Sequence, residues 1–552
     1  GYVYCQLTPT NMDMRHLSNL SLMLAIICMN TMSYLHAALP AKKIVYCSEG
    51  SPAGFDPGQY SSGIEYSASA ETVFNRLLDF DLKSEAPKIQ PSLAERWEIS
   101  EGGRVYTFYL RHGVKFHTTP WFKPTRDFNA EDVLFTFERM RNPNMPFRKK
   151  YPTEFPYWHY TGFDRLIEKI ELPDRSNPYI VRFTLKSPNA VFLPNLAVSP
   201  ASILSAEYAA QLLKAGVPSD INRKPVGTGP FIFQKYVKDE TIRFAGNPEY
   251  WKPEDVKLSE LVFSITPNAA VRVQKLKANE CQMSVYPRLV DIAALQSDPN
   301  LKVLSKPAFG MSDLAYNVTH KPLDNVLVRR ALDMAIDKKA IIDTVYEGYA
   351  QVAVAPMSPL QWAYDKSLKD APRNLKQAKA LLAQAGYPNG FEISLWTPSL
   401  QRPYNPNPKL MAEMIQSDWE KIGVKANIIQ NHDFVEHIKR CRRGEHDAML
   451  SGKLAINGDV DNWLGELGCQ GIGTTNFSLW CHKGFNDLVQ QAVQITDIDQ
   501  RTQLYLKAQK IFKQEQPSTP IAYPIIHWPI RKNVTGFRIP FGPTGFNGVS
   551  LK

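Results

Sequence analysis

The second half of the chain shows a repeated alternation of apolar and polar positions. Apolar residues recur every three or four positions over 374–385 and again over 409–422, which is the spacing of amphipathic helices. Each segment ends at a glycine, and a short apolar run with the length of a strand follows, at 391–396 and at 424–429. Two helix–strand units with short connections predict an α/β lobe built on a sheet.

The first half shows shorter and less regular elements. The pattern predicts an early strand over 44–47, a helix over 67–78 and a two-stranded ribbon over 105–116 with a turn at Gly113. A further helix is predicted over 130–141, because an asparagine precedes it as a cap and acidic residues occupy its first turn. We therefore expect a mixed α/β protein.

The amino terminus has the layout of an export signal. Arg15 precedes an apolar run over 20–29, and small residues follow over 37–41. The apolar run is shorter than the roughly 18–20 residues that a membrane span needs. We expect residues 1–38 to comprise an upstream segment and a cleavable secretory signal peptide, with a soluble, exported protein that starts near Leu39.

Length and composition are those of a globular protein. A chain of 552 residues is too long for one ordinary core, so two or three packed units are expected. It is 44% hydrophobic and 21% charged, and its formal charge of +10 favours acidic ligands or anionic surfaces. No stripe of Lys and Arg interleaved with aromatic residues is present, so nucleic acid is not a predicted partner. The densest basic run, 439–443, is expected to be an exposed helix end.

Five cysteines follow the predicted signal: Cys47, Cys281, Cys441, Cys469 and Cys481. Cys469 and Cys481 flank a short Gly/Thr/Asn loop, and a disulfide across it would contribute about 3 kcal/mol by loop entropy. Cys47 and Cys281 then form the second expected pair, which leaves Cys441 free. A zinc site is less favoured, because no two cysteines have the two-residue spacing of metal ligands.

Motifs typical of enzymes are missing from the sequence. It contains no Gly-x-Ser-x-Gly elbow, no phosphate-binding lysine loop and no His-Glu-x-x-His helix. His432 and His437 are five positions apart, which misses the spacing of a helical metal pair, and both are expected at the surface. We therefore predict no catalytic residue, no metal site and no cofactor. A secreted hydrolase is the least favoured function.

Short stretches spread over nearly the whole chain carry a family resemblance. They are 45–52, 93–98, 129–137, 225–231, 279–281, 401–407 and 480–481. In this order they resemble the family-5 extracellular solute-binding proteins of ABC importers, and within them the periplasmic dipeptide-binding and haem- or glutathione-binding branch. The disulfide bonds of that family match the two pairs proposed above.

The resemblance implies a fold and a location. The fold is an α/β, two-lobed clamp of the periplasmic binding protein type, with an inserted subdomain in the first lobe. The first lobe is discontinuous and would comprise 39–70, 221–305 and 526–552. The inserted subdomain would span 71–220 and the second lobe 306–525. The expected location is the periplasm.

The carboxylate end of a peptide-like ligand has an expected partner in this pattern. In the resembling family an arginine of an Arg-Pro-Tyr-Asn-Pro motif binds it, which corresponds to Arg402, with Tyr404 beside it. A guanidinium suits this role because it donates two parallel hydrogen bonds. The alternative is that Arg402 forms a surface salt bridge. Ser62 and Gly63, at the end of the loop after the first strand, are further expected ligand contacts.

The amine end departs from the family pattern. Dipeptide binders of the family carry Gly-Trp-Thr-Gly-Asp-Asn-Gly-Asp-Pro-Asp-Asn, and its first aspartate pairs with the ammonium of the ligand. Residues 452–462 place Ile456 at that aspartate and Lys453 at the tryptophan. A buried ammonium without a partner costs several kcal/mol, so free dipeptides become doubtful ligands. The alternative is that Asp459 or Asp461 replaces the missing acid.

These residues together predict a transport receptor. It would be the periplasmic substrate-binding component of an ABC peptide importer, a monomer that passes its ligand to an ABC permease in the inner membrane. Arg402 and Lys453 favour a small, acidic, peptide-like ligand such as glutathione. A haem-binding importer component is the alternative. Haem would then be the transported ligand, with a His, Tyr or Met from the cleft at its iron.

Overall fold

The computed structural model describes residues 38–84, 87–399 and 401–552. The predicted signal peptide and upstream segment, 1–38, lie outside these residues except for Ala38. Within the described ranges, no helix is both long and apolar enough to cross a membrane.

Twenty strands occur in the described residues. They are β1 (Lys43–Ser48), β2 (Leu78–Phe80), β3 (Ile89–Pro91), β4 (Ala94–Ser100), β5 (Val105–Leu110), β6 (Ile167–Glu171), β7 (Ile180–Leu185), β8 (Phe231–Val237), β9 (Thr241–Gly246), β10 (Glu260–Ile265), β11 (Met283–Ser284), β12 (Leu301–Pro307), β13 (Gly310–Tyr316), β14 (Ala350–Val352), β15 (Phe391–Pro398), β16 (Val424–Asn431), β17 (Ala448–Leu454), β18 (Ser518–Arg531), β19 (Val534–Thr535) and β20 (Ser550–Leu551).

Sixteen α-helices accompany these strands in the same ranges. They are α1 (Gly63–Ala68), α2 (Ala130–Arg141), α3 (Pro146–Lys150), α4 (Pro156–Tyr160), α5 (Phe163–Leu166), α6 (Phe192–Asn195), α7 (Ala206–Lys214), α8 (Ala269–Lys277), α9 (Ile292–Ser297), α10 (Val326–Ala335), α11 (Lys338–Val345), α12 (Leu375–Gln384), α13 (Pro408–Glu420), α14 (Phe434–Arg442), α15 (Lys483–Val493) and α16 (Ile498–Glu515). The mixed α/β class predicted from the sequence is confirmed.

The long strand β18 connects the two halves of the largest sheet. Its residues 518–522 pair antiparallel with β13, and its residues 525–531 pair antiparallel with β12. The strand order is β16-β15-β17-β13-β18-β11-β1-β10-β9-β8, and β12 and β14 also pair with β18. The chain crosses between the halves within β18 and again at 308–309, between β12 and β13.

The two helix–strand units of the second half are present as predicted. α12 leads into β15 and α13 leads into β16, and the two strands are parallel neighbours over 391–398 and 424–431. The apolar faces of both helices pack in one core with β13, β15 and β17; its members include Leu382, Ile393 and Ile415. Burial of these stripes holds the helices on the sheet.

A separate antiparallel sheet forms within the region 71–220. Its strand order is β4-β5-β7-β6, and α2 packs against it. The predicted helix over 130–141 is confirmed, and Asn129 caps it together with Asp132 in a capping box. The predicted ribbon is half right: β5 forms, but 114–116 is not a strand, because β5 pairs with β4 and β7 instead.

The predicted helix over 67–78 is wrong. The helix is α1, which ends at Ala68, and turns follow it. The backbone after it is engaged by distant segments: Val73 accepts a hydrogen bond from Gly229 N–H at 2.8 Å, and Leu77 accepts one from Ala94 N–H at 3.0 Å. Long-range pairing therefore overrides the local helix pattern.

Both expected disulfide bonds are present. Cys47 in β1 is bonded to Cys281, and Cys469 is bonded to Cys481. Cys441 is a free, buried thiol, and burial raises its pKa to about 12. The first bond ties β1 to the segment that leads into β11, and the second closes a short loop next to α15.

The strand pairing suggests where one lobe ends and the next begins. Residues 40–552 form one compact unit, so the division below is our proposal. On the pairing of β18, we propose that the first lobe comprises 39–70, 221–305 and 526–552, with 71–220 as the inserted subdomain. The second lobe comprises 306–525.

Candidate functional site

Arg402 lies in a tight loop between β15 and α13. Its N–H donates to Asn405 O at 2.8 Å, and Asn405 N–H donates back to Arg402 O at 3.0 Å. Asn407 then caps α13 by accepting a hydrogen bond from Leu410 N–H. These bonds fix the backbone from which the arginine side chain projects.

The Arg402 guanidinium is held by stacking and not by an ion pair. It lies over the Phe434 ring, 4.1 Å from the ring centroid. Its Nε is buried and has no hydrogen-bond partner among the described residues. The part of the chain that the structure describes also offers it no salt bridge. The surface salt bridge considered from the sequence is therefore not observed there.

Arg402 acts electrostatically on residues of the first lobe. Burial raises the pKa of Glu49 to about 7, and the positive charges of Arg272 and Arg402 lower it in part. Burial also raises the pKa of Tyr286, and Arg402 again acts in the opposite direction. Glu49 and Tyr286 thus lie within electrostatic range of Arg402. Neither residue was predicted from the sequence, although Glu49 falls within the stretch 45–52 that carries the family resemblance.

Tyr404 is fixed against the sheet next to Arg402. Its ring lies so close to Gly452 of β17 that a Cβ on that glycine would be 2.1 Å from a ring carbon. The Tyr404 carbonyl accepts a hydrogen bond from the Tyr346 hydroxyl at 2.7 Å, which is itself 2.7 Å from Ser312 Oγ. A glycine at 452 therefore has a steric reason: it makes room for Tyr404.

Lys453 does not provide an uncompensated positive charge. Its amine contacts the carboxylate of Glu466, whose other oxygen accepts a hydrogen bond from Asn462 at 2.9 Å. Burial lowers the pKa of Lys453 to about 7, while Asp461 and Asp313 raise it in part. Lys453 was expected to bind an acidic ligand, but the carboxylates of Glu466, Asp461 and Asp313 already surround it.

Asp459 is engaged inside the second lobe. Both of its oxygens accept hydrogen bonds from Arg501, each at 2.8 Å, and the pair is buried. The same carboxylate caps the turn 460–462 by accepting from Asp461 N–H at 2.9 Å. Asp459 is therefore already paired with a buried guanidinium and is not a free counter-charge for a ligand ammonium.

Ile456 meets the other side of the cleft. It packs on the apolar core of the first lobe and the inserted subdomain, and its N–H donates to Asn462 at 2.7 Å. The next residue, Asn457, donates to Asn195 Oδ1 of the inserted subdomain at 2.8 Å. The following glycine, Gly458, lies against Pro87. The segment 456–458 thus contacts the region 71–220 directly.

Two further carboxyl groups lie near Lys453. Asp313 is on β13, which pairs with β17, and the register places it on the same face as Lys453. Burial raises the pKa of Asp313 to about 7, and its Oδ1 has no hydrogen-bond partner among the described residues. Burial, and then the charge of Asp459, raise the pKa of Asp461 to about 7. Asp313 could be found only from the strand register.

Ser62 and Gly63 start the helix α1 of the first lobe. The Ser62 hydroxyl accepts a hydrogen bond from Ile64 N–H at 3.2 Å and so caps the helix. A Cβ added at Gly63 would meet no atom within 4 Å, so the position borders open space. A ligand contact at these two residues stays a prediction.

The two histidines and the basic run that were expected at the surface differ in their environments. His432 is exposed as expected, but the expectation of a surface position is wrong for His437, which is buried between Trp396 and Phe434. Burial lowers the pKa of His437 to about 4. The basic run 439–443 ends α14, as expected. Within the described ranges, no group of three or more His, Cys, Asp or Glu residues could hold a metal ion.

Comparison with known proteins identifies the class. Residues 88–474 match the family described as bacterial extracellular solute-binding proteins, family 5. The match covers more than half of the chain, and the two-lobed α/β architecture agrees with it. The chain belongs to this family of solute-binding proteins.

Three similar proteins give the family match more detail. The chain is 54% identical to "Di/tripeptide-binding protein 1" of Pseudomonas aeruginosa over 522 residues, 94% of this chain and 96% of that protein. It is 42% identical to "Heme-binding protein A" of Haemophilus influenzae, over 92% of each chain. The crystal structure of a dipeptide-binding protein from Pseudoalteromonas sp. SM9913 in complex with Met-Leu is also similar, with a TM-score of 0.83 and 35% identity over 93% of this chain and 100% of that one.

The buried pair Asp459–Arg501 predicts a large effect on stability. Asp459→Asn leaves Arg501 buried without a counter-charge, so the free energy of unfolding is expected to fall by about 3–5 kcal/mol. The measurement is urea unfolding followed by circular dichroism. The control is Asp487→Asn, which breaks the exposed pair with Lys483 and is expected to cost less than about 1 kcal/mol. Equal effects of the two changes would contradict a structural role for Asp459.

Proposed function

We propose that this protein captures a short peptide with free ends between its two lobes and delivers it to an ABC permease in the inner membrane. It acts in the periplasm after removal of the signal peptide over 1–38. The peptide is the cargo, and the protein carries out no chemical step on it. The relatives named as di/tripeptide- and dipeptide-binding proteins support this reading.

The observation that carries the proposal is the state of Arg402. A guanidinium with a buried, unpartnered Nε is costly unless an anion supplies the missing hydrogen-bond acceptor and counter-charge. It is held by Phe434 in the second lobe and acts on Glu49 and Tyr286 of the first lobe, so its surroundings are the cleft itself. The carboxylate of a peptide, bound in two parallel hydrogen bonds, is the anion that fits this geometry.

The ammonium of the peptide needs a different partner from that in the family pattern. Ile456 carries no charge and packs against the other lobe, while Asp459 is bonded to Arg501. Asp313 has a buried carboxyl oxygen without a partner among the described residues, and Lys453, the positive charge that acts on it, already contacts Glu466. We assign the ammonium to Asp313, which Asp461 supports as a second nearby carboxyl.

This assignment changes the kind of ligand that is expected. The expectation of an acidic ligand depended on Lys453 as a second free cation, and Lys453 is paired. Three carboxyl groups around one lysine favour a ligand with a positive end. A zwitterionic di- or tripeptide, positive at one end and negative at the other, matches both halves of the cleft.

Closure of the lobes follows from ligand contacts on both sides. The Asn457–Asn195 hydrogen bond and the contact of Ile456 join the two sides of the proposed cleft. A peptide that meets Arg402 and Asp313 on the second lobe, and Tyr286 on the first, adds binding energy only in the closed state. Ligand binding therefore shifts the population toward closure, which is the state the permease would recognise.

Removal of the Arg402 charge should abolish tight binding. Arg402→Gln is expected to weaken the binding of a tripeptide such as Ala-Ala-Ala by about 2–5 kcal/mol, because the peptide carboxylate then lies buried without a counter-charge. Isothermal titration calorimetry measures the change. Arg443→Gln, at an exposed arginine of the same lobe, is the matched control and should leave the affinity unchanged. An unaltered affinity in Arg402→Gln contradicts the proposed carboxylate site.

Recognition of the ammonium by Asp313 predicts a pH dependence with a definite sign. The carboxyl is charged above its pKa, which burial raises to about 7, so affinity for a free peptide should fall as the pH falls from 8 to 6. Asp313→Asn should weaken binding of Ala-Ala-Ala and remove this pH dependence. The matched ligand is N-acetyl-Ala-Ala-Ala, whose binding should be equal in both proteins. A full pH dependence in Asp313→Asn would assign the ammonium to another group.

Haem is the alternative cargo. The observation that favours it is the 42% identity with a protein named "Heme-binding protein A". Haem loading is measured by adding haemin to the purified protein and recording a Soret band. We expect no stoichiometric Soret shift, since the carboxyl groups around Lys453 would repel propionates. A stoichiometric shift that peptide does not displace would support haem over peptide.

A further inference from the structure

Basic residues are concentrated on one side of the proposed second lobe, around the start of α12. Over 366–379 the chain has four lysines and one arginine but a single acidic residue, Asp370. No acidic residue occurs over 371–391, and none occurs over 500–514 in α16. These segments therefore carry a clear excess of positive charge.

Direct bonds hold α16 beside the segment that leads into α12. Asp370 pairs with Lys338 of α11 and, at 2.6 Å, with Lys513 of α16. The Asp365 N–H donates to Gln509 Oε1 of α16 at 3.0 Å, and the same glutamine donates to the carbonyl of residue 363 at 2.7 Å. The two basic segments thus lie side by side.

Six lysines of these segments are exposed and form no salt bridge among the described residues. Asp370 and Asp418 do not neutralise them, because each of these carboxylates is already bonded to two other cations. We call the six lysines the basic face: Lys366, Lys369, Lys376, Lys379, Lys507 and Lys510.

The densest basic run of the sequence, 439–443, differs from the basic face. Arg440 and Arg443 both pair with Glu445, and Arg443 also lies 3.8 Å from Glu436. Two neighbouring carboxylates thus offset part of the charge of this run. In the described part of the chain, no carboxylate is paired with a lysine of the basic face.

The composition of the basic face fits a charged membrane surface better than a protein. Lysine carries a strongly hydrated, mobile point charge, and it is depleted in protein–protein interfaces, where aromatic residues and arginine are enriched. No large apolar side chain is exposed over 363–379 or 500–514. A layer of anionic phospholipid headgroups attracts lysines that come within a Debye length, about 8 Å at physiological ionic strength.

We propose that the basic face docks the protein on the anionic phospholipid surface of a membrane. The contact is electrostatic and reversible, because no exposed apolar segment accompanies the lysines. Docking holds the receptor close to the plane of the membrane, so that its search for a permease takes place in two dimensions. The docking does not depend on peptide capture, and either proposal can fail without the other.

Two variants with the same loss of charge separate the basic face from the total charge. The basic-face variant combines Lys366→Gln, Lys369→Gln, Lys376→Gln, Lys379→Gln, Lys507→Gln and Lys510→Gln, and glutamine keeps the helix propensity of lysine. The control variant carries the same change at six other exposed lysines that form no salt bridge within the described ranges: Lys115, Lys123, Lys149, Lys150, Lys214 and Lys257.

The experiment is co-sedimentation of the exported form, 39–552, with phospholipid vesicles. One vesicle is pure phosphatidylcholine, and the other contains about 30% phosphatidylglycerol, both in about 50 mM salt. The wild type should partition at least about tenfold more strongly onto the anionic vesicle, and about 500 mM salt should remove this preference. The basic-face variant should lose about tenfold in partitioning and the control variant about twofold or less. Circular dichroism checks that both variants are folded.

Three results would overturn the proposal. If the wild type sediments equally with both vesicles, or with neither, the basic face does not bind anionic lipid, and an acidic protein becomes its partner. If both variants lose binding equally, the total charge causes the attraction. Binding that persists in about 500 mM salt contradicts an electrostatic contact. A wild type that binds anionic vesicles but no peptide refutes peptide capture alone.

Discussion

A cleft that closes over a peptide must replace the water around two opposite charges at once. A carboxylate or an ammonium that is buried alone costs several kcal/mol, so each end needs a partner that nothing else has neutralised. The second lobe meets this condition in two places. Arg402 is stacked on Phe434 with a free Nε, and Asp313 has a free carboxyl oxygen, among the described residues. The specificity we propose depends on these two groups.

The other charged groups around the cleft are paired with each other and stabilise its walls. Asp459 is bonded to Arg501 and shapes the turn 460–462, and Lys453 contacts Glu466. Ile456 stands where the family pattern has a charged aspartate, and it makes an apolar contact with the opposite lobe. These interactions fix the wall of the site and bring the lobes together, while β18, shared by both lobes, keeps them in one sheet.

Features that depend on local sequence could be predicted, and features that depend on distant partners could not. The helix–strand units over 374–429 follow from periodicity and glycine stops, and the disulfide bonds follow from cysteine spacing and the family pattern. The pKa of Lys453 depends on its burial, on Asp461 and on Asp313, and only the register of β13 on β17 brings Asp313 near it. The predictions of a surface position for His437 and of a helix over 67–78 were wrong for the same reason. Tertiary packing determines both features, and it cannot be read from the local sequence.

Peptide capture is tested most directly by the ligand that the protein carries when it is purified from its own periplasm. The protein is denatured, and the released small molecules are identified by mass spectrometry. Our account predicts di- or tripeptides with free amino and carboxyl ends, in stoichiometric amount. Haem, or a ligand that lacks a free carboxylate, would contradict the role of Arg402 on which the account depends.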